Sequence, residues 1–149
     1  SLASITIPDG IASIGSGAFY NCYSLASITI SDSATSIGNN AFYSCYSLAS
    51  ITIPDGIASI ENNAFQRCYS LASITIPDGI ASIGSGAFRY CYGVAFYDFT
   101  ACTAVPTLSS TDALERIPAD CQIRVPASLV DAWKAATNWS TYADHIVGV

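Results

Sequence analysis

The side chains in this sequence that are suited to chemistry are six cysteines, one histidine and a row of evenly spaced aspartates. His145 directly follows Asp144, and a histidine beside a carboxylate can act as a general base. A catalytic triad also needs a placed nucleophile, and the sequence places none, so we interpret His145 as a surface or capping residue. The cysteines lack CxxC spacing and companion histidines, which argues against zinc. We therefore predict no enzymatic activity and no cofactor.

The aspartates recur at equal intervals along the chain, at Asp9, Asp32, Asp55 and Asp78. If the copies stack as neighbouring strands, these carboxylates lie ~4.8 Å apart and repel one another. A calcium ion is one interpretation of the row, since Ca²⁺ prefers oxygen ligands. The other is that each aspartate belongs to a tight turn, which needs no metal. We favour the turn and predict no metal site.

The aspartates are evenly spaced because a 23-residue unit is repeated almost unchanged through two thirds of the chain. Copies begin at Leu2, Leu25, Leu48 and Leu71, each with LASITI, and each ends with Ala-Phe and then a cysteine. A fixed period of this length predicts stacked coils rather than one closed globule. The repeated cysteines should then form a row of buried free thiols; they are Cys22, Cys45, Cys68 and Cys91. Whether Cys102 and Cys121 pair with each other stays open.

One copy contains the signals for a complete coil. In the third copy, Ile51 and Ile53 alternate with polar residues, which predicts a short strand with one buried face. Residues 54–56 read Pro-Asp-Gly and predict a turn, and residues 57–60 predict a second extended piece. The Ala-Phe and cysteine positions should close the core from the far side. One coil cannot bury these residues alone, so the copies must stack.

The pattern LxxIxIPxxIxxIxxxAFxxC over residues 2–93 resembles the BspA-type leucine-rich repeat of bacterial surface proteins. The resemblance implies an α/β repeat class: a mostly β, right-handed leucine-rich-repeat solenoid displayed at the cell surface, with a role in adhesion and no catalytic residue. The second copy departs from the pattern, with residues 31–34 reading Ser-Asp-Ser-Ala. We expect this change to loosen that turn and to thin the core beneath it.

The repeat decays towards the C-terminus. A fifth copy begins at Val94 and loses the register after Thr100, so we predict a solenoid over residues 1–99 and a small α/β cap over 100–149. A solenoid needs such a cap over its last apolar edge. The cap should contain a strand at 122–125 and a helix that starts at Ser128 and ends near Asn138. The apolar residues expected to pack it are Leu129, Val130, Trp133, Ala136, Trp139, Tyr142 and Ile146. The start at a repeat boundary, without an N-terminal cap, predicts a piece of a longer protein.

Charge and hydropathy limit the classes of partner that this chain can bind. The chain has 5 basic and 11 acidic residues, a net charge of -6, which is a poor fit to nucleic acid or to anionic membranes. No apolar run approaches the ~20 residues of a membrane helix. From the family resemblance we expect an extracellular monomer on a bacterial cell, binding a host or microbial surface protein or glycan. The alternative is a structural stalk or spacer that projects another domain and has no ligand of its own.

Three groups of residues are candidates for recognition. The outward row of the strand face carries hydroxyls, among them Thr29, Thr52 and Thr75. A second row follows the cysteines; it contains Tyr23, Tyr46, Tyr69 and Tyr92. Its tyrosines either meet a ligand or stack on each other and seal the coil edge. The third group comprises the positions that differ between copies, which are Glu61, Gln66, Arg67, Arg89 and Tyr90. Of these three groups, the variable positions are those expected to give sharp specificity.

Overall fold

The structure is a computed structural model that describes residues 3–149, so Leu2, the predicted start of the first copy, lies outside the described residues. Each coil contributes a three-residue strand, a turn, a two-residue strand and a second run of turns. The strands of the first four coils are β1 (Ser4–Thr6), β2 (Ser13–Ile14), β3 (Ser27–Thr29), β4 (Ser36–Ile37), β5 (Ser50–Thr52), β6 (Ser59–Ile60), β7 (Ser73–Thr75) and β8 (Ser82–Ile83). Both predicted strands of the repeat are therefore confirmed.

Strand pairing is parallel and follows the repeat. The later strands are β9 (Phe96–Asp98), β10 (Thr107–Leu108), β11 (Gln122–Val125) and β12 (Ile146–Gly148). The longer strands form two sheets, in the orders β1-β3-β5 and β7-β9-β11-β12, and the short strands form one, β2-β4-β6-β8-β10. Where strands of the repeats pair, each residue faces its equivalent one coil away, as Ser27 faces Ser50. The predicted mostly β solenoid is confirmed.

The core consists of rows of identical side chains. Phe42, Phe65 and Phe88 are buried, and successive phenylalanine rings lie 5.2 to 5.3 Å apart and nearly parallel. The row ends on Tyr97, whose ring meets Phe88 edge-on. Isoleucines and leucines of both strands fill the remaining volume. Because each residue packs on its copy above and below, the apolar residues of all coils form one continuous core.

The cysteine row lies beside the phenylalanines. Cys45 Sγ donates a hydrogen bond to the carbonyl oxygen of Phe19 at 3.1 Å, and Cys68 and Cys91 repeat this bond one and two coils later. All six cysteines are free thiols, including Cys102 and Cys121. Burial raises the pKa of Cys45 to about 12. These thiols therefore behave as small core residues that also satisfy a buried carbonyl.

The second copy is tied to the first by its serines. Ser31 Oγ donates to Asp9 Oδ1 at 2.9 Å, and Ser33 Oγ donates to the carbonyl oxygen of Ile11 at 3.0 Å. These bonds counter the loosening that we expected from the altered turn. Ala34 is fully buried at the position that Ile57 occupies one coil later, so the core is filled by a smaller side chain there.

Strand pairing continues beyond Thr100, although the 23-residue spacing does not. Gln122 faces Phe96, a longer step than the one between repeats, and the amide of Phe88 donates to the carbonyl of Ala113. The extra residues sit in the turns, where length is least constrained. The predicted boundary between residues 99 and 100 stays a prediction.

The cap differs from the sequence prediction at both ends of its helix. Helix α1 spans Val130–Ala135, preceded by a 3-10 turn over Ala127–Leu129 in which Ser128 lies, so Ser128 is not the N-cap. The helix ends at Ala135, and Asn138 instead adopts a left-handed φ of 67° before a second 3-10 helix, Trp139–His145. The side-chain amide of Asn138 donates to the carbonyl of Leu108, which ties the segment between the two helices to the last coil.

The apolar side of the cap is as predicted. Trp133, Trp139, Tyr142 and Ile146 are buried, with both tryptophan rings within 5.5 Å of the Phe99 ring. Trp139 Nε1 donates to the carbonyl of Pro106 at 2.7 Å, as a buried indole requires. The two tryptophans therefore cover the end of the aromatic core.

The phenylalanine row gives a test of stability. We expect Phe65→Ala to lower the free energy of unfolding by about 3–5 kcal/mol, because a ring stacked on both sides leaves a cavity. Urea denaturation followed by circular dichroism measures the change. Ser70→Ala, an exposed position in the same coil, should stay within about 0.5 kcal/mol of the parent. A loss below about 1 kcal/mol for Phe65→Ala would show that the stack contributes little.

Thiol labelling tests the cysteine row. Cys22 is half-buried and the other five cysteines are buried, with the pKa of Cys91 and Cys121 raised by burial to about 12. Since the thiolate is the reactive form, we expect Cys22 to react with a disulfide reagent at pH 8 well before the rest. All six should react once the chain is unfolded, and Cys22→Ser should remove the fast phase. Several fast thiols in the native chain would contradict the buried row.

Candidate recognition surface

The run of turns after each short strand forms a third side of the coil with a repeated backbone. The amide of Asn21 donates to the carbonyl of Tyr43, and the amide of Arg67 donates to that of Arg89, so the turns stack coil on coil. Two positions in each turn of the repeats have a left-handed backbone. At the second of them φ lies between 59° and 66°, and its residues in successive coils are Asn21, Ser44, Arg67, Tyr90 and Arg116. Side chains at equivalent turn positions are therefore held in line.

The tyrosine row is stacked along its whole length. The rings of Tyr23, Tyr46, Tyr69 and Tyr92 lie 4.9, 4.9 and 5.5 Å apart in sequence and are tilted by no more than 18°. The row nonetheless remains accessible, since Tyr69 is 39% and Tyr92 55% exposed. Because the faces of the inner rings cover each other, solvent reaches their edges and hydroxyl ends. Mutual stacking, one of the two interpretations of the sequence, is thus what the structure contains.

A second row runs beside the first and includes cations. Tyr20 and Tyr43 stack with centroids 5.0 Å apart. The next coil presents Arg67, whose guanidinium carbon lies 5.8 Å from the ring centres of both Tyr43 and Tyr90. The electrostatic interaction with Tyr43 is the main cause of the raised pKa of Arg67. A guanidinium between two rings is attracted to both of their faces.

The two rows belong to one surface. The Tyr90 ring, which lies beside Arg67, is 6.1 Å from the Tyr92 ring. The two rows therefore meet at these two rings. We call this the tyrosine–arginine surface; its residues are Tyr20, Tyr23, Tyr43, Tyr46, Arg67, Tyr69, Arg89, Tyr90, Tyr92 and Arg116. It contains seven of the nine tyrosines of the chain, the other two being buried.

Positive charge also gathers here. Arg89 Nε lies 2.5 Å from Glu115 Oε2, the only ion pair within residues 3–149, and its guanidinium carbon lies 4.8 Å from the Tyr90 ring centre. Arg116 is exposed and follows Tyr90 at the left-handed position, because the Tyr90 amide donates to the carbonyl of Glu115 as the Arg67 amide does to that of Arg89. Three of the five basic residues of the chain therefore lie on this surface, and Glu115 already pairs with one of them.

The structure places the predicted recognition residues on two different sides of the solenoid. Arg67, Arg89, Tyr90, Tyr46 and Tyr69 come together on the tyrosine–arginine surface. Of the other two variable positions, Gln66 is buried and Glu61 is half-buried at the start of the turns. Sequence reasoning missed Arg116, because the step from Tyr90 to Arg116 is longer than one repeat.

The hydroxyl row occupies a different side of the solenoid. Thr29, Thr52 and Thr75 are exposed on the longer strands. Sheet pairing is interrupted between β5 and β7, and a cleft of about 730 Å³ lies there; its lining residues are Ile51, Thr52, Ile53, Asp55, Thr75, Pro77, Asp78 and Ala101. The cleft offers hydroxyls and two carboxylates, and its lining contains no aromatic or basic side chain.

The hydroxyl row changes character next to the cap. In register with Ser73, Phe96 and then Gln122 replace the serine, and Arg124 lies 3.9 Å above the Phe96 ring. Arg124 Nε donates to Gln122 Oε1 at 2.9 Å, which holds the guanidinium in place. Sequence reasoning missed this pair, although Phe96 already breaks the serine row in the fifth copy.

Two of the four aspartates accept hydrogen bonds from a neighbouring coil. Asp78 Oδ1 accepts hydrogen bonds from the amide and the hydroxyl of Thr103, both at 3.0 Å, and these bonds lower the pKa of Asp78. Within residues 3–149 no three acidic, histidine or cysteine side chains come close enough to hold a metal ion. These bonds account for Asp9 and Asp78 as turn residues that link one coil to the next.

His145 lies in the cap, where its Nδ1 is 2.9 Å from the carbonyl oxygen of Cys121. A carbonyl only accepts, so Nδ1 is the donor in this contact. No helix in the described part of the chain combines the length and apolar character needed to cross a bilayer.

Comparisons with known proteins agree with this architecture. The sequence model of the family described as BspA type leucine rich repeat region matches residues 1–110 in 6 copies. A leucine-rich-repeat protein of T. pallidum is similar in structure over 85% of this chain and 60% of its own, with 28% identity and a TM-score of 0.72. A leucine-rich cell-surface protein of Faecalibacterium prausnitzii is similar over 83% of this chain and 39% of its own, with 32% identity and a TM-score of 0.60.

A third structure, the pneumococcal vaccine antigen PcpA, is similar over 98% of this chain and 40% of its own, with a TM-score of 0.72. Its 14% identity shows a shared fold alone. This chain spans at most 60% of the length of these three proteins. A comparison with curated protein sequences finds no match.

The Asp78 carboxylate predicts a pH dependence. Because its pKa is lower in the folded chain than the ordinary 3.8, its bonds to Thr103 stabilise the fold above pH 3.8 and are lost as the pH falls through the lowered pKa. We expect Asp78→Asn to have a lower Tm than the parent at pH 6, and the difference to shrink below about pH 4. Asp55→Asn, one coil earlier, is the control. A Tm difference that does not vary with pH would contradict a role for the charge.

Proposed function

Because this chain belongs to the BspA-type leucine-rich-repeat family, we propose that it is a recognition module of a bacterial cell surface. In this proposal the tyrosine–arginine surface holds a protein or glycan of a host or neighbouring cell, and so contributes to adhesion. The solenoid provides the rigid backbone that keeps the surface in shape.

The observation that supports this proposal most directly is the position of Arg67 between the rings of Tyr43 and Tyr90. Tyrosine and arginine are enriched among the residues that dominate binding energy at interfaces. Stacking also restricts these side chains before a ligand arrives, so less conformational entropy is lost on binding. The hydroxyl row has neither advantage, since its side chains are small, neutral and evenly spaced.

One relative supports the location. The Faecalibacterium prausnitzii protein is described as a leucine-rich cell-surface protein. That description applies to that protein, which is considerably longer than this chain. The extension to this chain rests on the family and on the exposed aromatic surface, of a kind that commonly marks an interaction site.

The proposal assigns no catalytic role and no cofactor to the chain. It leaves one competitor, a spacer that projects another domain. The near identity of the four coils favours the spacer, since a uniform stack gains length without needing any ligand. Seven tyrosines gathered on one side favour recognition, because a spacer has no need of exposed aromatic residues.

A binding screen tests the proposal. Folded chain is passed over immobilised extracellular-matrix proteins and host and microbial glycans, beside the double variant Arg67→Asn/Tyr69→Ser. Asn suits residue 67 because Asn21 already occupies that left-handed position in the first coil. We expect the double variant to weaken binding by about 2 kcal/mol, roughly thirtyfold in Kd.

The control for that screen is Thr29→Val/Thr52→Val, which alters the hydroxyl row and keeps strand-forming side chains. Binding kept by this control and lost by the tyrosine–arginine variant supports the proposed surface. The reverse pattern moves the site to the hydroxyl row. If the chain binds none of the immobilised molecules saturably, the spacer is favoured.

A further inference from the structure

The strongest unexplained feature of the tyrosine–arginine surface is its charge. The chain carries a net charge of -6, yet Arg67, Arg89 and Arg116 gather on this one side. Of these three, Arg89 alone forms an ion pair within the described residues, with Glu115. Most of the molecule would repel a negatively charged ligand, whereas this surface would attract it. The ligand would therefore be oriented onto this surface.

We propose that the ligand of this surface is an acidic polysaccharide that runs along the stack of coils, with its carboxylate or sulfate groups on Arg67 and Arg116. The inference rests on the recognition function proposed above and specifies its ligand class. It follows from the chemistry of the two arginines and from the geometry of the tyrosine rows.

Arg67 is prepared for an oxygen anion. Its guanidinium lies between the Tyr43 and Tyr90 rings, and within residues 3–149 it forms no ion pair. Its N–H groups are therefore held by no carboxylate in the described part of the chain, and they match a carboxylate or sulfate in a two-point contact. Arg116 repeats the charge at the equivalent position beyond Tyr90, where its side chain is exposed to solvent.

The tyrosine rows favour a regular, oxygen-rich chain over a folded protein. The faces of the inner rings are covered by their neighbours, so a ligand meets edges and hydroxyl groups at intervals of 4.9 to 5.5 Å. Phenol hydroxyls both donate and accept, which suits the many hydroxyls of a sugar chain. The cleft that could receive an apolar side chain lies elsewhere, beside the hydroxyl row. A repeating surface is best matched by a repeating ligand.

The experiment measures binding of the folded chain to four immobilised polymers at 50 mM salt. They are dextran sulfate, polygalacturonate, neutral dextran and poly-glutamate. We expect at least one acidic polysaccharide to bind roughly tenfold or more tighter than dextran, since a charge-assisted contact adds about this factor. It should also bind tighter than poly-glutamate, which lacks the sugar hydroxyls that the tyrosine hydroxyls would meet. The sulfate and carboxylate polymers separate the two sources of anion. Binding should weaken at 500 mM salt, where exposed charges are screened.

Arg67→Asn/Arg116→Asn should reduce that affinity roughly tenfold or more. Lys134→Asn is the matched control for the single variant Arg116→Asn, because each removes one positive charge from an exposed position, and its affinity should stay within about twofold of the parent. Circular dichroism and Tm show whether each variant is folded. If the double variant does not fold, Arg116→Asn alone decides, together with the salt dependence of the parent.

Three results would overturn the inference: equal binding to neutral dextran, tighter binding to poly-glutamate than to either polysaccharide, or an equal loss in Lys134→Asn. These are distinguishable from failure of the recognition function. A chain that holds a protein from the wider screen through Arg67 and Tyr69, but no acidic polysaccharide, keeps the function and loses only this ligand class.

Discussion

The structure depends on one constraint: a single coil has too little volume to bury its own apolar side chains. Phe65 is fully buried only because Phe42 and Phe88 cover its two faces. Parallel, in-register pairing is the arrangement that satisfies every coil in the same way, since it brings each side chain onto its own copy and each amide onto the next carbonyl. The cap then has a single task, which is to end this arrangement without leaving an apolar edge.

In-register stacking also decides what the surface looks like. Any residue common to the copies becomes a row, whether or not the row is useful, and a row of like charges would repel. Two of the aspartates, at the ends of the row, accept hydrogen bonds from the next coil, Asp9 from Ser31 and Asp78 from Thr103. Tyrosines gain from the same geometry, since neutral rings attract each other when stacked. The surface of this chain is therefore rich in hydroxyls and rings, with charge confined to few places.

Differences between copies therefore have more effect on what the surface can bind than the residues that all copies share. Where Ser44 of one coil is replaced by Arg67 in the next and by Tyr90 in the one after, a regular turn acquires a cation between two rings. The backbone is the same at all three positions, including its left-handed φ. A rigid repeat thus separates two tasks: the shared residues maintain the coil, and a few substitutions at accessible turn positions determine what it can bind.

The sequence by itself determined the solenoid, its two strands per coil, its buried rows and its apolar cap, because each of these follows from local periodicity and from the need to bury apolar surface. It did not determine the ends of the cap helix, where Ser128 and Asn138 take other roles once tertiary contacts compete with local capping preferences. Nor did it bring Arg116 beside Tyr90, since that pairing crosses turns of altered length. Only the stacked structure showed that the tyrosine row and the variable arginines form one surface, because Arg67 contacts Tyr43 of the coil before it and Tyr90 of the coil after it.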